Sequence, residues 1–146
     1  MGYTLTATVD AAYDDAVAQV REALAEQGFG VLTEIDIQAT LRAKLGVEVA
    51  PQVILGACRP PLAHAALQAA PSIAALLPCN VVVRAGEQGV VVEAIDPDAM
   101  MSLADGPAVR EVAADAKQRL TAALAAVASR PDTRQSDTDQ PDTQEA

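Results

Sequence analysis

The stretch CNVVVRAGEQGVVVEAI, residues 79–95, decides the fold of this chain. It contains two valine-rich runs, Cys79–Ala85 and Val90–Ile95, separated by four residues that begin and end with glycine. Apolar runs joined by a short turn with two glycines are typical of a β-hairpin. The stretch therefore predicts two neighbouring antiparallel strands, with an exit turn at Asp96 and Pro97.

Strand and helix patterns alternate along the rest of the chain. Period-two alternation predicts three earlier strands, over Tyr3–Val9, Phe29–Gln38 and Gln52–Arg59. In the second of these strands, the period places Val31 and Ile35 on the same face. Helices are predicted from an N-cap at Asp10 to Gly28, over Thr40–Leu45, over Leu62–Ala70 and from Pro107 onward, with a brief helical turn over Ile73–Leu77.

This order of elements predicts an α+β fold, with one mainly antiparallel sheet of about five strands and helices packed on one face. The positions of Gly28 and Gly30 exclude a doubly wound nucleotide-binding fold. These glycines follow a predicted helix and precede a predicted strand, whereas a dinucleotide-binding loop follows a strand and opens a helix.

The length and the end of the sequence predict one domain with a tail. The chain has 146 residues, which suit a single domain, predicted over residues 1–129. Residues 130–146 contain two arginines and five acidic residues, and Ala146 is their one apolar residue. Because such a segment can bury little apolar surface, we predict an acidic disordered tail.

The net charge and the composition indicate which partners and which cellular compartment to expect. The net charge is −10 and aromatic residues are 2% of the chain, which together exclude nucleic acid as a partner. No apolar run reaches the roughly 18 residues of a membrane span, and the first residues lack a secretion signal. We therefore expect a cytoplasmic protein with no membrane partner, in which the cysteines are reduced.

Four segments of the chain together resemble one known protein family. The segments are GFGVLTEID (28–36), LGACRPP (55–61), LLPCNVVV (76–83) and AIDP (94–97). In this order they resemble the family called domain of unknown function 302, and with the flanking elements the resemblance covers residues 1–128. It implies a small bacterial or archaeal cytosolic α+β domain that tends to form homodimers. It implies no established reaction.

Cys58 and Cys79 are the candidate metal ligands. Each is predicted at the end of a strand, so the two can meet at one edge of the sheet. Neighbouring thiolates can hold a soft metal ion such as copper(I), can hold zinc, or can cycle through a disulfide. The alternative is that both are packed as small apolar residues, as free cysteines usually are.

Glu34, Asp36 and Asn80 are further candidate ligand-binding residues. Glu34 and Asp36 share a strand face, where paired carboxylates can bind a metal ion or act as acid and base. The alternative for both is a solvated sheet edge. Asn80 follows Cys79, and its amide can orient a ligand or satisfy a turn.

The sequence contains no complete catalytic set. His64 is the only histidine and lies among alanines, no serine stands in a Gly-x-Ser-x-Gly turn, and Met100 and Met101 are predicted to fill the core. We therefore predict a non-enzymatic, homodimeric module that binds a small molecule or a metal ion. Its predicted site residues are Glu34, Asp36, Cys58, Cys79 and Asn80. The alternative is a thiol-based redox or sulfur-handling protein that uses Cys58 and Cys79.

Overall fold

Five strands and five α-helices are present in the residues that the computed structural model describes, which are 2–87, 89–104 and 106–128. The strands are β1 (Thr4–Val9), β2 (Gly30–Asp36), β3 (Gln52–Cys58), β4 (Cys79–Gly86) and β5 (Gly89–Ile95). The helices are α1 (Tyr13–Glu26), α2 (Ile37–Leu45), α3 (Pro60–Ala69), α4 (Pro97–Met101) and α5 (Pro107–Ala128), with a 3-10 helix at Pro71–Leu76. The predicted order is confirmed, and α4 is an addition to it.

The strands form one antiparallel sheet in the order β1-β5-β4-β3-β2. The predicted hairpin is confirmed as β4 and β5, and their pairing reaches Gly86 and Gly89 beside the turn. β1 pairs with β5 on one side of the hairpin, and β3 pairs with β4 on the other. The hairpin therefore brings the start of β4 beside the end of β3.

Helices cover one face of this sheet, as predicted. Because strand residues alternate between the two faces, Val81, Val83 and Val92 point towards the helices, and each is 0% exposed. Leu24 of α1 and Leu120 of α5 are among the largest fully buried side chains opposite them. Burial of each such side chain stabilises the fold by about 1.5–3 kcal/mol, which holds α1 and α5 on this face.

The register of β2 differs from the prediction. A bulge between Val31 and Thr33 pairs Val31 with Ala57 and Ile35 with Ile54. Ala57 and Ile54 are an odd number of residues apart on β3, so they point to opposite faces of the sheet. Val31 and Ile35 therefore point to opposite faces as well, and the predicted shared face is wrong because a bulge inserts one extra residue into the strand.

Several predicted element ends also differ from the structure, two of them because of local capping. The second strand ends at Asp36 and not at Gln38, because the Asp36 carboxylate accepts a hydrogen bond from Ala39 N at 2.9 Å and starts α2 at once. The first helix begins at Tyr13 after Ala12, which makes no side-chain cap, so Asp10 is not the N-cap. Both errors concern local capping, which changes where an element begins but not which elements form.

The predicted tail, residues 130–146, and the predicted domain end at residue 129 lie outside the described residues. Within the described ranges, no helix combines the length and the apolar character that crossing a membrane requires.

Candidate functional site

Cys58 and Cys79 line the same cavity, which has a volume of about 30 Å³. The cavity lies at one end of the sheet, where β3 ends and β4 begins, and helices α3, α4 and α5 line its other sides. Apolar residues that line it include Phe29, Leu62, Ala66, Leu77 and Ala113. Met100 and Met101 line it as well, so we call it the sulfur cavity.

The pairing of β3 with β4 brings the two cysteines together. Ala57 pairs with Cys79, and Cys58 is the next and last residue of β3. Strand alternation assigns Cys58 to the opposite face of the sheet from Cys79, but at this strand end both residues line the cavity. Since paired Cα atoms lie about 4.5–5.5 Å apart and a strand rises about 3.3 Å per residue, the two cysteine Cα atoms lie about 6 Å apart. Both thiols are free; Cys58 is half-buried and Cys79 is 7% exposed.

Helix α4 supplies two thioethers to the sulfur cavity. Met100 and Met101 are 8% and 5% exposed. Asp96 caps this helix by accepting a hydrogen bond from Asp98 N at 2.9 Å. Lys117 of α5 forms ion pairs with Asp96 and Asp98, at 3.3 and 3.1 Å. These contacts fix α4 against α5, and with it the position of both methionines at the cavity wall.

Burial raises the pKa of both cysteines. The pKa of Cys79 rises to about 11, chiefly because burial penalises its thiolate and additionally because Cys58 lies nearby. Burial also raises the pKa of Cys58. Both side chains are therefore protonated thiols at neutral pH, and they become ligands only for an ion that displaces their protons.

Arg59 follows Cys58 directly at the end of β3. It lines the sulfur cavity, and its Nε is buried with no hydrogen-bond partner in the described part of the chain. Gly28 makes room for it: this glycine has a φ of +85°, and a Cβ added there would lie 2.9 Å from Arg59 Nε. A buried donor without a partner costs free energy, so Arg59 Nε favours a hydrogen-bond acceptor near Gly28.

Glu34 and Asp36 lie away from the sulfur cavity, at the edge strand β2. Glu34 forms an ion pair with Arg21 of α1, and Asp36 caps α2. Both carboxylates are exposed, and both have a structural partner. Their predicted role in binding a ligand stays a prediction.

Asn80 lies on the opposite face of the sheet from Cys79, because successive strand residues point to opposite faces. It is exposed and lines a groove of about 610 Å³ on that other face. His64 is exposed on α3 and does not line the sulfur cavity. The structure thus brings together Cys58 and Cys79, and it places Glu34, Asp36 and Asn80 elsewhere.

Comparison with known proteins identifies the family. The family model described as Domain of unknown function DUF302 matches residues 5–127. The chain belongs to this family. The domain is also similar to the crystal structure of an uncharacterized conserved DUF302 protein from Bacillus stearothermophilus, with a TM-score of 0.81 and 28% identity over 87% of this chain and 99% of that chain. No curated protein matches.

The sequence of this DUF302 domain did not indicate that its methionines and cysteines share a cavity. Met100 and Met101 are buried, as predicted for core residues. Their position beside the cysteines depends on α4. This helix has five residues, which is too short for a helical periodicity to be recognised in the sequence. The signal that precedes it is Asp96-Pro97, a capping residue followed by proline, which is typical of a helix start as well as of a turn.

Proposed function

We propose that this chain binds one copper(I) ion in the sulfur cavity. The observation that carries the proposal is that four of the five cysteine and methionine residues of the chain line this one cavity. The fifth is Met1, at the start of the sequence. Thiolates and thioethers are the ligands that select copper(I), and their concentration at one apolar site supports such a role.

The volume of the cavity favours a single ion over an organic molecule. About 30 Å³ is room for about two or three water molecules. Pockets for organic ligands usually measure about 300–1,000 Å³. A metal ion that has lost its hydration shell and is held directly by protein atoms fits the available space, whereas a metabolite does not.

The available ligands favour copper(I) over zinc. A structural zinc site needs four ligands drawn from cysteine, histidine and carboxylate side chains. Across residues 2–87, 89–104 and 106–128, no three such side chains are grouped so that they can hold a metal ion. Two thiolates completed by a methionine thioether instead form a sulfur-only set, which suits a soft monovalent ion.

Charge balance also supports a monovalent ion. Copper(I) bound by the thiolates of Cys58 and Cys79 leaves one net negative charge in an apolar site. Arg59, which lines the same cavity, offers the opposite charge. Because a buried charge is stable only when it is paired, Arg59 would lower the cost of the bound state.

Thiol-based redox chemistry is the weaker alternative. The thiolate is the nucleophile in thiol–disulfide exchange, and both cysteines have raised pKa values. Burial that suppresses the free thiolate slows this exchange. It does not prevent metal binding, because the ion displaces the thiol proton as it binds.

Competition titration tests the proposal. Untagged full-length chain is titrated with copper(I) under anaerobic conditions against a chromophoric copper(I) chelator. We expect one copper(I) per chain, with an affinity that falls about 100-fold or more in Cys79→Ala and in Cys58→Ala, equivalent to about 2.7 kcal/mol. Met100→Leu, which keeps the side-chain volume, should cause a smaller loss.

His64→Ala is the matched control, because His64 is a potential metal ligand that is exposed and outside the sulfur cavity. Its copper(I) affinity should equal that of the wild type. Circular dichroism establishes that each variant is folded. A wild-type chain that leaves all copper(I) with the chelator would overturn the proposal, as would a Cys58→Ala, Cys79→Ala double variant that binds like the wild type.

A further inference from the structure

A groove of about 610 Å³ lies on the face of the sheet that points away from helices α1 and α5, which we call the open face. Asn80, Val82 and Arg84 of β4 line it, and they alternate with the buried Val81 and Val83, which point towards those helices. Sites that bind organic molecules usually measure about 300–1,000 Å³. This groove is therefore large enough for an organic molecule, which the sulfur cavity is not.

Met100 links this groove to the sulfur cavity. It lines both spaces, and the residue is 8% exposed. Pro78 lines the groove as well, and it lies directly between Leu77 and Cys79, which line the sulfur cavity. Because a thioether is a ligand for copper(I), an ion that enters from the groove would reach the cysteines by way of Met100.

The end of the groove beside Met100 is apolar. Leu76 and Pro78 precede β4, whereas Ala99 and Leu103 follow β5, and all four line the groove. They lie at the same end because the start of β4 pairs with the end of β5. Leu103 is 78% exposed, so this end of the groove can bury further apolar surface when a ligand binds.

The other end of the groove carries one positive and one negative charge. Arg84 and Glu93 form an ion pair there, with side chains that are 40% and 25% exposed. Arg84 is four residues beyond Asn80 on β4, so it lies about 13 Å further along the strand. Partly exposed ion pairs contribute little to stability. A ligand that has both a carboxylate and an ammonium group can therefore replace each partner at small cost.

Two side-chain amides also line the groove. Asn80 lies at the start of β4, beside the apolar end, and Gln52 is the cross-strand partner of Arg84. Neither amide has a hydrogen-bond partner within residues 2–87, 89–104 and 106–128. Since each amide has both donors and an acceptor, the two match the peptide groups of a bound ligand.

We propose that this groove binds a small peptide thiol that delivers copper(I) to the sulfur cavity. The proposal rests on the copper(I) site above and names the donor of its ion. The charged groups of such a molecule match Arg84 and Glu93, its peptide groups match the two amides, and its thiolate lies towards Met100. Thiolates select copper(I), so a small thiol can carry this ion in solution as a complex.

The transfer is an exchange of ligands. Copper(I) arrives bound to two carrier thiolates, and one of these carriers occupies the groove. The ion breaks its two bonds to the carriers and forms two bonds to the sulfur atoms of Cys58 and Cys79. The two protons that the cysteines release are taken up by the two carrier thiolates. Copper keeps its single positive charge throughout, so the step needs no oxidant or reductant.

Binding of the carrier can be tested without copper. Isotope-labelled, full-length chain is titrated with reduced glutathione, a peptide thiol with one ammonium and two carboxylate groups, and followed by nuclear magnetic resonance. We expect the side-chain amide signals of Asn80 and Gln52 to shift and to saturate. Unchanged signals for both would overturn the proposal, because the carrier would then not occupy the groove.

Delivery is measured by the loss of colour of a copper(I)–chelator complex as the chain takes up the ion, with and without glutathione. Glutathione should accelerate this transfer to the wild type by about tenfold or more. The double variant Arg84→Ala, Glu93→Ala keeps the net charge and should lose this acceleration, while its copper(I) affinity at equilibrium equals that of the wild type. The matched control Arg42→Ala, Glu48→Ala removes an exposed ion pair outside the groove and should keep the acceleration.

Asn80→Ala gives a second test, because it removes one exposed amide of the groove and should also reduce the acceleration. Circular dichroism establishes that each variant is folded. Equal acceleration in the wild type and in these groove variants would overturn the proposal, since glutathione would then act in solution only.

Failure of the carrier site and failure of the metal site give different results. A wild-type chain that takes copper(I) from the chelator with no acceleration by glutathione would overturn the carrier site alone. A wild-type chain that takes up no copper(I) would overturn the metal site and its delivery together.

Discussion

Copper(I) affinity measured at several pH values would count the protons that leave the sulfur cavity when the ion binds. The pKa of Cys79 is about 11 and burial raises that of Cys58, so both thiols keep their protons between about pH 6 and about pH 8. Copper(I) binds thiolates, so each bound ion displaces two protons. Below a thiol pKa, the thiolate fraction rises about tenfold with each pH unit. Affinity must therefore rise with pH.

The magnitude follows from the number of thiols. Two displaced protons predict about 100-fold tighter binding for each pH unit, which is about 2.7 kcal/mol. Cys58→Ala leaves one thiol and predicts about tenfold tighter binding for each unit. His64→Ala should keep the wild-type slope, because its side chain is exposed and outside the cavity.

The assay is the competition titration repeated at each pH, with the proton binding of the chelator itself subtracted. A plot of the logarithm of the affinity against pH gives the number of protons directly. A wild-type slope of one or less would refute the displacement of two thiol protons. So would the same slope in the wild type and in Cys58→Ala.

Three further predictions concern stability and reactivity. Without copper(I), the free energy of unfolding should fall by up to about 3 kcal/mol between about pH 9 and about pH 11, because unfolded Cys79 loses its proton at its ordinary pKa and folded Cys79 only at about 11. Urea unfolding of Cys79→Ala should show a smaller fall in the free energy of unfolding over this pH range. A fall equal to that of the wild type would show that ionisation of Cys79 is not its cause. Iodoacetamide should modify half-buried Cys58 before buried Cys79, and copper(I) should protect both. Mass spectrometry of timed samples measures the order of modification. Modification of both at the same rate would contradict the difference in their burial. Gly56→Ala should cost about 1–3 kcal/mol in urea unfolding, because the added Cβ would overlap Thr33 Oγ1 and lie 2.9 Å from Pro78 Cγ. Adding Thr33→Ala to Gly56→Ala should restore part of the lost stability. If it restores none, the overlap with Pro78 alone accounts for the loss.

The order of the elements could be predicted because each depends on local sequence. Val81 and Val83 alternate with polar or half-exposed residues, and the glycines at positions 86 and 89 mark the turn. The bulge at Val31 could not be predicted, because an extra residue in one strand is fixed by its pairing with β3. The Asp36 cap also escaped prediction, since an aspartate in an alternating pattern fits a strand residue as well as a helix start.

The candidate site was predictable only in part. Placement of both cysteines at strand ends indicated that they can meet, and the register of β3 with β4 brings them together. Strand alternation assigns both Asn80 and Cys58 to the opposite face from Cys79. Cys58 lines the cavity because it ends its strand, whereas Asn80 lies within β4 and lines the groove on the other face. Met100 joins the cysteines because α4 packs against α5 at this end of the sheet, and both cysteines are distant from Met100 in the sequence.

X-ray absorption spectroscopy at the copper edge would test the proposed site most directly. The sample is the full-length chain loaded with one equivalent of copper(I). Binding between Cys58 and Cys79, with a thioether from Met100 or Met101, predicts a first shell that contains sulfur and no nitrogen or oxygen. A shell that includes nitrogen or oxygen, or a sulfur shell that is unchanged in the Cys58→Ala, Cys79→Ala double variant, would contradict it.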